Sequence, residues 1–259
     1  MAYALITGAS KGIGKAIAAE LASRKSDLLL VARNESLLKE AAGKLSETYQ
    51  VKTSFLAIDL AKTGAAQAVV SWVKENGFDV NILVNNAGYG LSGPFEKYTA
   101  DEHREMMQVN MNVPVELTSL LLPELKRHPE SYIMNISSSA AYQSVPGLSV
   151  YAATKSFVLS FSRSLHYELR KTNVSVTAVS PGGTHTDFAV RANIGAKGVK
   201  AGEKLNMTPQ AVAKQAVNAM FARKTEIITG FVNKLGAFLV WLLPKKLGEK
   251  TAAGIYEIE

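Results

Sequence analysis

The 259 residues contain no cysteine, which excludes disulfide frameworks, Cys-bound zinc, iron-sulfur clusters and thiol nucleophiles together. Proline is scarce, at 8 residues, and the 19 glycines follow no period, so collagen-like chains are excluded. An apolar content of 47% is too high for a disordered chain. Internal repeats, low-complexity tracts and Pro/Ser linkers are absent as well, and one domain spanning residues 1–259 is expected. Long apolar runs are also missing. The longest, Ala237 to Leu243 within Phe231 to Leu243, spans about 20 Å as a helix, short of a hydrocarbon core of about 30 Å. Met1 to Ile6 has neither the basic n-region nor the long h-region of an export signal, so a cytoplasmic location is expected.

The four histidines, His103, His128, His166 and His185, show no metal-ligand spacing to one another, and no metal site is expected. No basic stripe interleaved with stacking aromatics argues for nucleic acid. Acidic residues are in deficit, 22 against 29 basic, for a net charge of +7. The imbalance is local. Met1 to Phe188 holds 18 basic and 17 acidic residues, whereas Ala189 to Glu259 holds 11 and 5. Lys234, Lys245 and Lys246 surround the apolar Phe231 to Leu243 segment, which suits either a helix packed on the domain or a sister subunit, or one lying on an anionic membrane.

What the chain does have is a regular alternation of short apolar runs and longer amphipathic ones. Ala2 to Ile6, Leu28 to Val31, Thr53 to Ile58, Ile82 to Val84, Ile133 to Ile136 and Val174 to Val179 read as strands buried on both faces, being continuously apolar. A seventh strand is expected at Glu226 to Thr229. Ile13 to Ser23, Glu35 to Glu47, Gly64 to Lys74, Asp101 to Lys126, Tyr151 to Lys171 and Pro209 to Phe221 read as helices. The pattern predicts an α/β fold, a doubly wound parallel sheet covered by helices on both faces. Phe188 to Met207, rich in Gly and Lys, is too long for an ordinary connection and reads as a lid.

Thr7-Gly8-Ala9-Ser10-Lys11-Gly12-Ile13-Gly14 leaves the first strand and opens the first helix. Glycines there allow a sharp turn and close approach of a pyrophosphate to free helix amides. An acidic residue at the end of the second strand would select NAD through its ribose hydroxyl. Instead Ala32 is followed by Arg33, 19 positions after Gly14, and a guanidinium there suits a 2′-phosphate. Lys11, Ser10 and Asn34 are placed to reach the same group, which favours NADP(H). Asp59-Leu60 and Asn85-Asn86-Ala87-Gly88 lie at further strand ends, where such sheets bind ligands. Tyr151 and Lys155 share a helical face, where an ammonium would favour phenolate. Ser138, at the end of the fifth strand, is placed to meet the same substrate oxygen.

Taken together these elements resemble the short-chain dehydrogenase/reductase family along nearly the whole chain. The resemblance implies a seven-stranded, Rossmann-type sheet in order 3-2-1-4-5-6-7. It implies a catalytic tetrad of Asn110, Ser138, Tyr151 and Lys155, with Asn110 fixing a water that links Lys155 to solvent. Gly8 to Gly14 and Asn86-Ala87-Gly88 look like the family's cofactor segments, and Pro181-Gly182 with Thr184 and Thr186 like its nicotinamide-carboxamide segment. Ala141 departs from a common glycine. Enoyl reductases of the wider family separate their Tyr and Lys further, and epimerases carry an extra C-terminal domain. The expected activity is therefore interconversion of a carbonyl and an alcohol on a small apolar molecule with NADP(H), in a homodimer or homotetramer. Ala32 to Glu35 and the apolar tail look closer to hydroxysteroid dehydrogenase-like members than to acyl-carrier reductases. The alternatives are a 3-oxoacyl-type reductase and an NADP(H)-sensing protein without turnover.

Overall fold

The computed structural model describes residues 2–203 and 206–256. Lys204 and Leu205 of the expected lid, with Met1 and residues 257–259 of the expected domain, lie outside the described residues. Seven parallel strands, β1 (Tyr3–Thr7), β2 (Asp27–Ala32), β3 (Thr53–Ala57), β4 (Val80–Asn85), β5 (Ser131–Ile136), β6 (Val174–Ser180) and β7 (Glu226–Ile228), pair in the order β3-β2-β1-β4-β5-β6-β7. β2, β5 and β6 are buried at every residue, the polar Asn135, Ser175 and Thr177 among them, while the edge strands β3 and β7 are only partly covered.

Alternation along each strand divides the core between the two faces. Ala4, Ile6, Leu28 and Leu30 pack with α1 (Gly12–Ser23), α2 (Glu35–Tyr49) and α9 (Pro209–Phe221). Leu5, Leu29, Val31 and Leu83 pack on the other face with α3 (Ala65–Glu75) and α5 (Val113–Leu125). Helix starts follow local chemistry: Asn34 Oδ1 accepts from Leu37 N at 3.0 Å to cap α2, and Thr208 caps α9 ahead of Pro209.

Three expectations change. The single helix read over Asp101 to Lys126 is broken into α4 (Ala100–Met107), a π turn (Gln108–Asn112) and α5. Pro114 explains the break, since it has no N–H to return to the carbonyl of Asn110 four residues earlier. The expected lid is not an open loop. It contains α7 (Phe188–Arg191) and α8 (Ala196–Glu203), and its ends are tied where Met207 N donates to Gly183 O at 2.9 Å and His185 N to Met207 O at 3.0 Å. The apolar segment forms α10 (Phe231–Leu242), and beyond Pro244 a further helix, α11 (Lys245–Ile255), appears that the sequence reading lacked. No residue of α10 is fully buried: Asn233, Ala237 and Val240 are half-covered where the helix meets the Ser139–Tyr142 turn, and the rest of it is exposed.

Candidate active site

The strand order reverses between β1 and β4, and the loops leaving their carboxyl ends meet there. Gly8 and Gly12 hold φ of +68° and +55°, in the left-handed region that favours glycine. A side chain at Gly14 would overlap both Gly8 O and the Asn86 amide. That amide is what closes the loop, donating to Thr7 O at 2.9 Å and Gly8 O at 3.2 Å. Thr7 Oγ1 accepts in turn from the backbone of Asn86 and Ala87, each at 3.0 Å. The result is a turn at the N-terminus of α1 that Gly8, Gly12 and Gly14 leave without side chains at its tightest points, which fits a dinucleotide pyrophosphate. Ser10 and Ile13 line the same turn, half-buried.

At the end of β2, Ala32 is buried and Arg33 exposed, with no carboxylate between β2 and Asn34. Asn34 spends its Oδ1 on Leu37 N and Ser36 Oγ, so that oxygen serves the helix cap. Lys11 turns to the foot of the lid instead, its Nζ 2.7 Å from Asp187 Oδ2. Asp59 Oδ1 accepts from Ala61 N at 3.1 Å beside buried Leu60.

Tyr151 and Lys155 project from α6 (Ser149–Glu168) beside the ends of β4 and β5, 7% and 5% exposed. Lys155 Nζ donates to Ile136 O at 2.8 Å and stands 5.8 Å from the Tyr151 ring centre. Burial pushes the phenol up to about 12; the Ser138 hydroxyl opposes this and Tyr256 adds to it. Burial pushes the ammonium down to about 8. In both groups the loss of water is the largest cause. Ser138 opens a short turn (Ser139–Tyr142), its Oγ accepting from Ala140 N at 3.1 Å.

Asn110 sits in the π turn with its amide committed: Oδ1 accepts from Tyr89 N at 3.1 Å, and Nδ2 donates to Tyr89 O at 2.9 Å and Thr154 Oγ1 at 3.0 Å. Its side chain thus fastens the loop after β4 to α6. Gly88 is where these parts converge, since a Cβ there would lie 3.0 Å from Asn110 Oδ1 and 3.2 Å from Lys155 Nζ.

Above the phenol the walls are apolar. Met106, Val145, Leu148 and Ala152 form one cluster with Tyr151, joined by Leu91, Phe188 and Tyr256. The Phe188 ring lies 5.3 Å from that of Tyr151. Pro181 O accepts from Ser139 N at 2.8 Å, and Thr184 and Thr186 turn the chain towards Phe188, bringing Thr186 against Gly12. The candidate residues thus lie in the loops at the carboxyl ends of β1 to β6, at the start of α1, in the π turn (Asn110) and on α6. The histidines do not join them: His103 stacks on Phe95, His128 faces Asp79 at 3.0 Å, His166 Nδ1 lies 2.7 Å from Val176 O, and His185 is exposed at the lid.

Arg191 and the Asn135–Ser162 link were not expected from the sequence. Arg191 of α7 lies over the Tyr89 ring at 4.2 Å; burial, and then the nearby Arg33, lower its guanidinium from the usual arginine value. Beneath the site, Asn85 Nδ2 donates to Asn135 Oδ1 at 2.8 Å and Asn135 Nδ2 to Ser162 Oγ at 2.9 Å, pinning α6 to the sheet. The asparagine chain was legible as polar residues inside apolar strands; Arg191 had no such mark.

A doubly wound parallel sheet with a glycine cradle at its reversal point defines a dinucleotide-binding class of protein. A family model described as short chain dehydrogenase matches residues 2–196, and the chain belongs to the short-chain dehydrogenase/reductase family of oxidoreductases. It is 30% identical over 252 residues to dehydrogenase/reductase SDR family member 7B of Mus musculus, covering 94% of this chain and 78% of that protein. It is 34% identical over 181 residues to a very-long-chain 3-oxoacyl-CoA reductase of Coprinopsis cinerea, covering 69% of this chain and 53% of that protein. The chain thus spans little more than half the length of some curated relatives. A short-chain dehydrogenase of Sphingobium yanoikuyae solved in complex with NADPH superimposes with a TM-score of 0.81 at 32% identity, over 88% of this chain and 87% of that one.

Proposed function

We propose that the protein interconverts a carbonyl and an alcohol on a small apolar molecule, using NADP(H). The observation that carries this is the placement of Tyr151, buried in an apolar cluster with Lys155 beside its ring and Ser138 acting on its phenol. The bound dinucleotide would supply or accept hydride at nicotinamide C4. The Ser138 hydroxyl and the Tyr151 phenol hold the substrate oxygen, and in the reductive direction the phenol donates its proton as hydride reaches the carbonyl carbon. A phenolate is left. Lys155, buried beside the Tyr151 ring, is the cation that would stabilise it.

NADP(H) is favoured over NAD(H) by Arg33 at a strand end without a carboxylate, with Arg191 as a second cation near it. The Sphingobium relative, solved with NADPH, agrees with that reading. A 3-oxoacyl substrate is the second reading, favoured by the Coprinopsis relative and by the apolar walls around Tyr151. The test is NADPH and NADH oxidation with a panel of steroid, 3-oxoacyl, sugar and simple ketones. Turnover with an apolar ketone is expected, with Tyr151→Phe abolishing it while still binding NADPH. Tight NADPH binding with no turnover on any of them would mean a sensor.

A further inference from the structure

Helix α10 turns only a narrow, half-covered stripe, Asn233, Ala237 and Val240, towards the Ser139–Tyr142 turn and presents most of its apolar side chains to solvent. Nine of the twelve residues in its sequence FVNKLGAFLVWL are apolar, yet none is buried. Phe231 and Trp241 are 80% and 78% exposed, and the surface continues through Val232, Phe238, Leu242 and Leu247. An exposed apolar surface of this extent, beyond the stripe that meets the domain, marks a face that something else covers.

The helix is held rigidly at one end. Gly230, at φ +81°, starts it against Met207, and Asn233 Nδ2 donates to Thr229 O at 2.8 Å while its amide fills the space where a Gly182 side chain would be. After Pro244 the chain returns through α11, where Ala252 is buried in the Tyr151 cluster. The apolar helix therefore stands beside the substrate end of the site as a fixed projection.

Charge indicates what covers it. Residues 231–250 carry Lys234, Lys245, Lys246 and Lys250 against Glu249 alone, and residues 189–259 account for +6 of the chain's +7. A second copy seated by a two-fold axis would bring this basic patch close to its own image, which opposes association. An anionic lipid surface complements it. Tryptophan suits the headgroup level, and lysines extend their amines towards phosphates while their stems lie among apolar groups. No helix among the described residues is long and apolar enough to cross a membrane, so α10 would lie in the interface plane.

We propose that α10 and the start of α11 seat this protein on an anionic membrane surface, with Phe238 and Trp241 at the acyl boundary and the lysines on lipid phosphates. The proposal does not depend on the substrate or on turnover.

The test is sedimentation of the full chain with vesicles of phosphatidylcholine, with and without phosphatidylglycerol. Binding is expected only with the anionic lipid and is expected to weaken with salt. Each lysine is worth about fivefold in partitioning, so Lys245→Gln with Lys246→Gln should weaken it about 25-fold. Trp241→Glu and Phe238→Glu, at exposed positions, should abolish it without moving the melting temperature. Equal binding to neutral vesicles, no binding to either, or binding indifferent to Trp241→Glu would overturn the proposal. So would a soluble dimer that Trp241→Glu dissociates and that ignores vesicles.

Discussion

A buried phenol and a buried ammonium respond to the loss of water in opposite directions, and here each is driven towards its neutral form. For Lys155 the folded value near 8 lies below the unfolded value near 10.5. Between those two pH values the unfolded chain binds more protons, so stability rises with pH, and the penalty for burying the charge is fully present below about 8. Lys155→Met removes that penalty. Chemical denaturation at pH 7 and again at pH 10.5 should show the wild type gaining about 3 kcal/mol relative to the variant across that interval. A constant difference would mean that Lys155 is not held below its ordinary value. At the ribose end, Arg33→Ala should raise the KM for NADPH by about 10- to 100-fold, the worth of a charged hydrogen bond of about 1.5–3 kcal/mol, and leave that for NADH within a few-fold. Equal effects on both cofactors would remove Arg33 from phosphate recognition. Tyr151, Lys155 and Ser138 were legible from their order and spacing along the chain. Their proton affinities were not, because spacing shows that two groups are close but not how much water surrounds them.

At the scale of the element, the glycine turn and the π turn show how backbone detail places chemistry. Glycine to alanine at an ordinary helical position gains about 1 kcal/mol. Gly14 is different, since the added methyl would meet the Gly8 carbonyl and an Asn86 amide already bonded across the loop. Gly14→Ala should therefore cost about 2 kcal/mol and abolish dinucleotide binding, as read by thermal melting and by NADPH fluorescence titration. A stabilised variant that still binds would show that the turn tolerates a side chain there. The strands were legible because strands buried on both faces are largely apolar, as Leu28 to Ala32 of β2 is; β6 was legible despite the buried Ser175, Thr177 and Ser180. The interruption at Gln108–Asn112 was legible too, through Pro114, but the strong apolar periodicity on either side of it masked the signal. Helix α11 left little trace, because glycine and lysine dilute its apolar face to Ala252 and its immediate neighbours.

For the whole molecule, the parallel sheet explains the gathering of the site, while the charge asymmetry concerns what lies outside it. The near-neutral first 188 residues contain the cradle, the tetrad and the sheet to β6, and the basic remainder contains α10 and α11, next to the apolar walls of the site. If α10 rests in a lipid interface, Tyr256, Phe188 and Tyr151 open towards a phase in which apolar ketones concentrate. Binding there shortens the search for a poorly soluble substrate without altering the proton transfer. Anionic vesicles should then lower the KM for a long-chain ketone several-fold with kcat unchanged, and leave a short water-soluble ketone unaffected. Trp241→Glu should lose the lipid effect and keep the vesicle-free rate on the short ketone, because Trp241 contacts neither the cradle nor the Tyr151 cluster. Steady-state kinetics on both ketones, with and without vesicles, checks this. Stimulation equal in the variant and the wild type would assign the effect to substrate solubilisation and not to the helix.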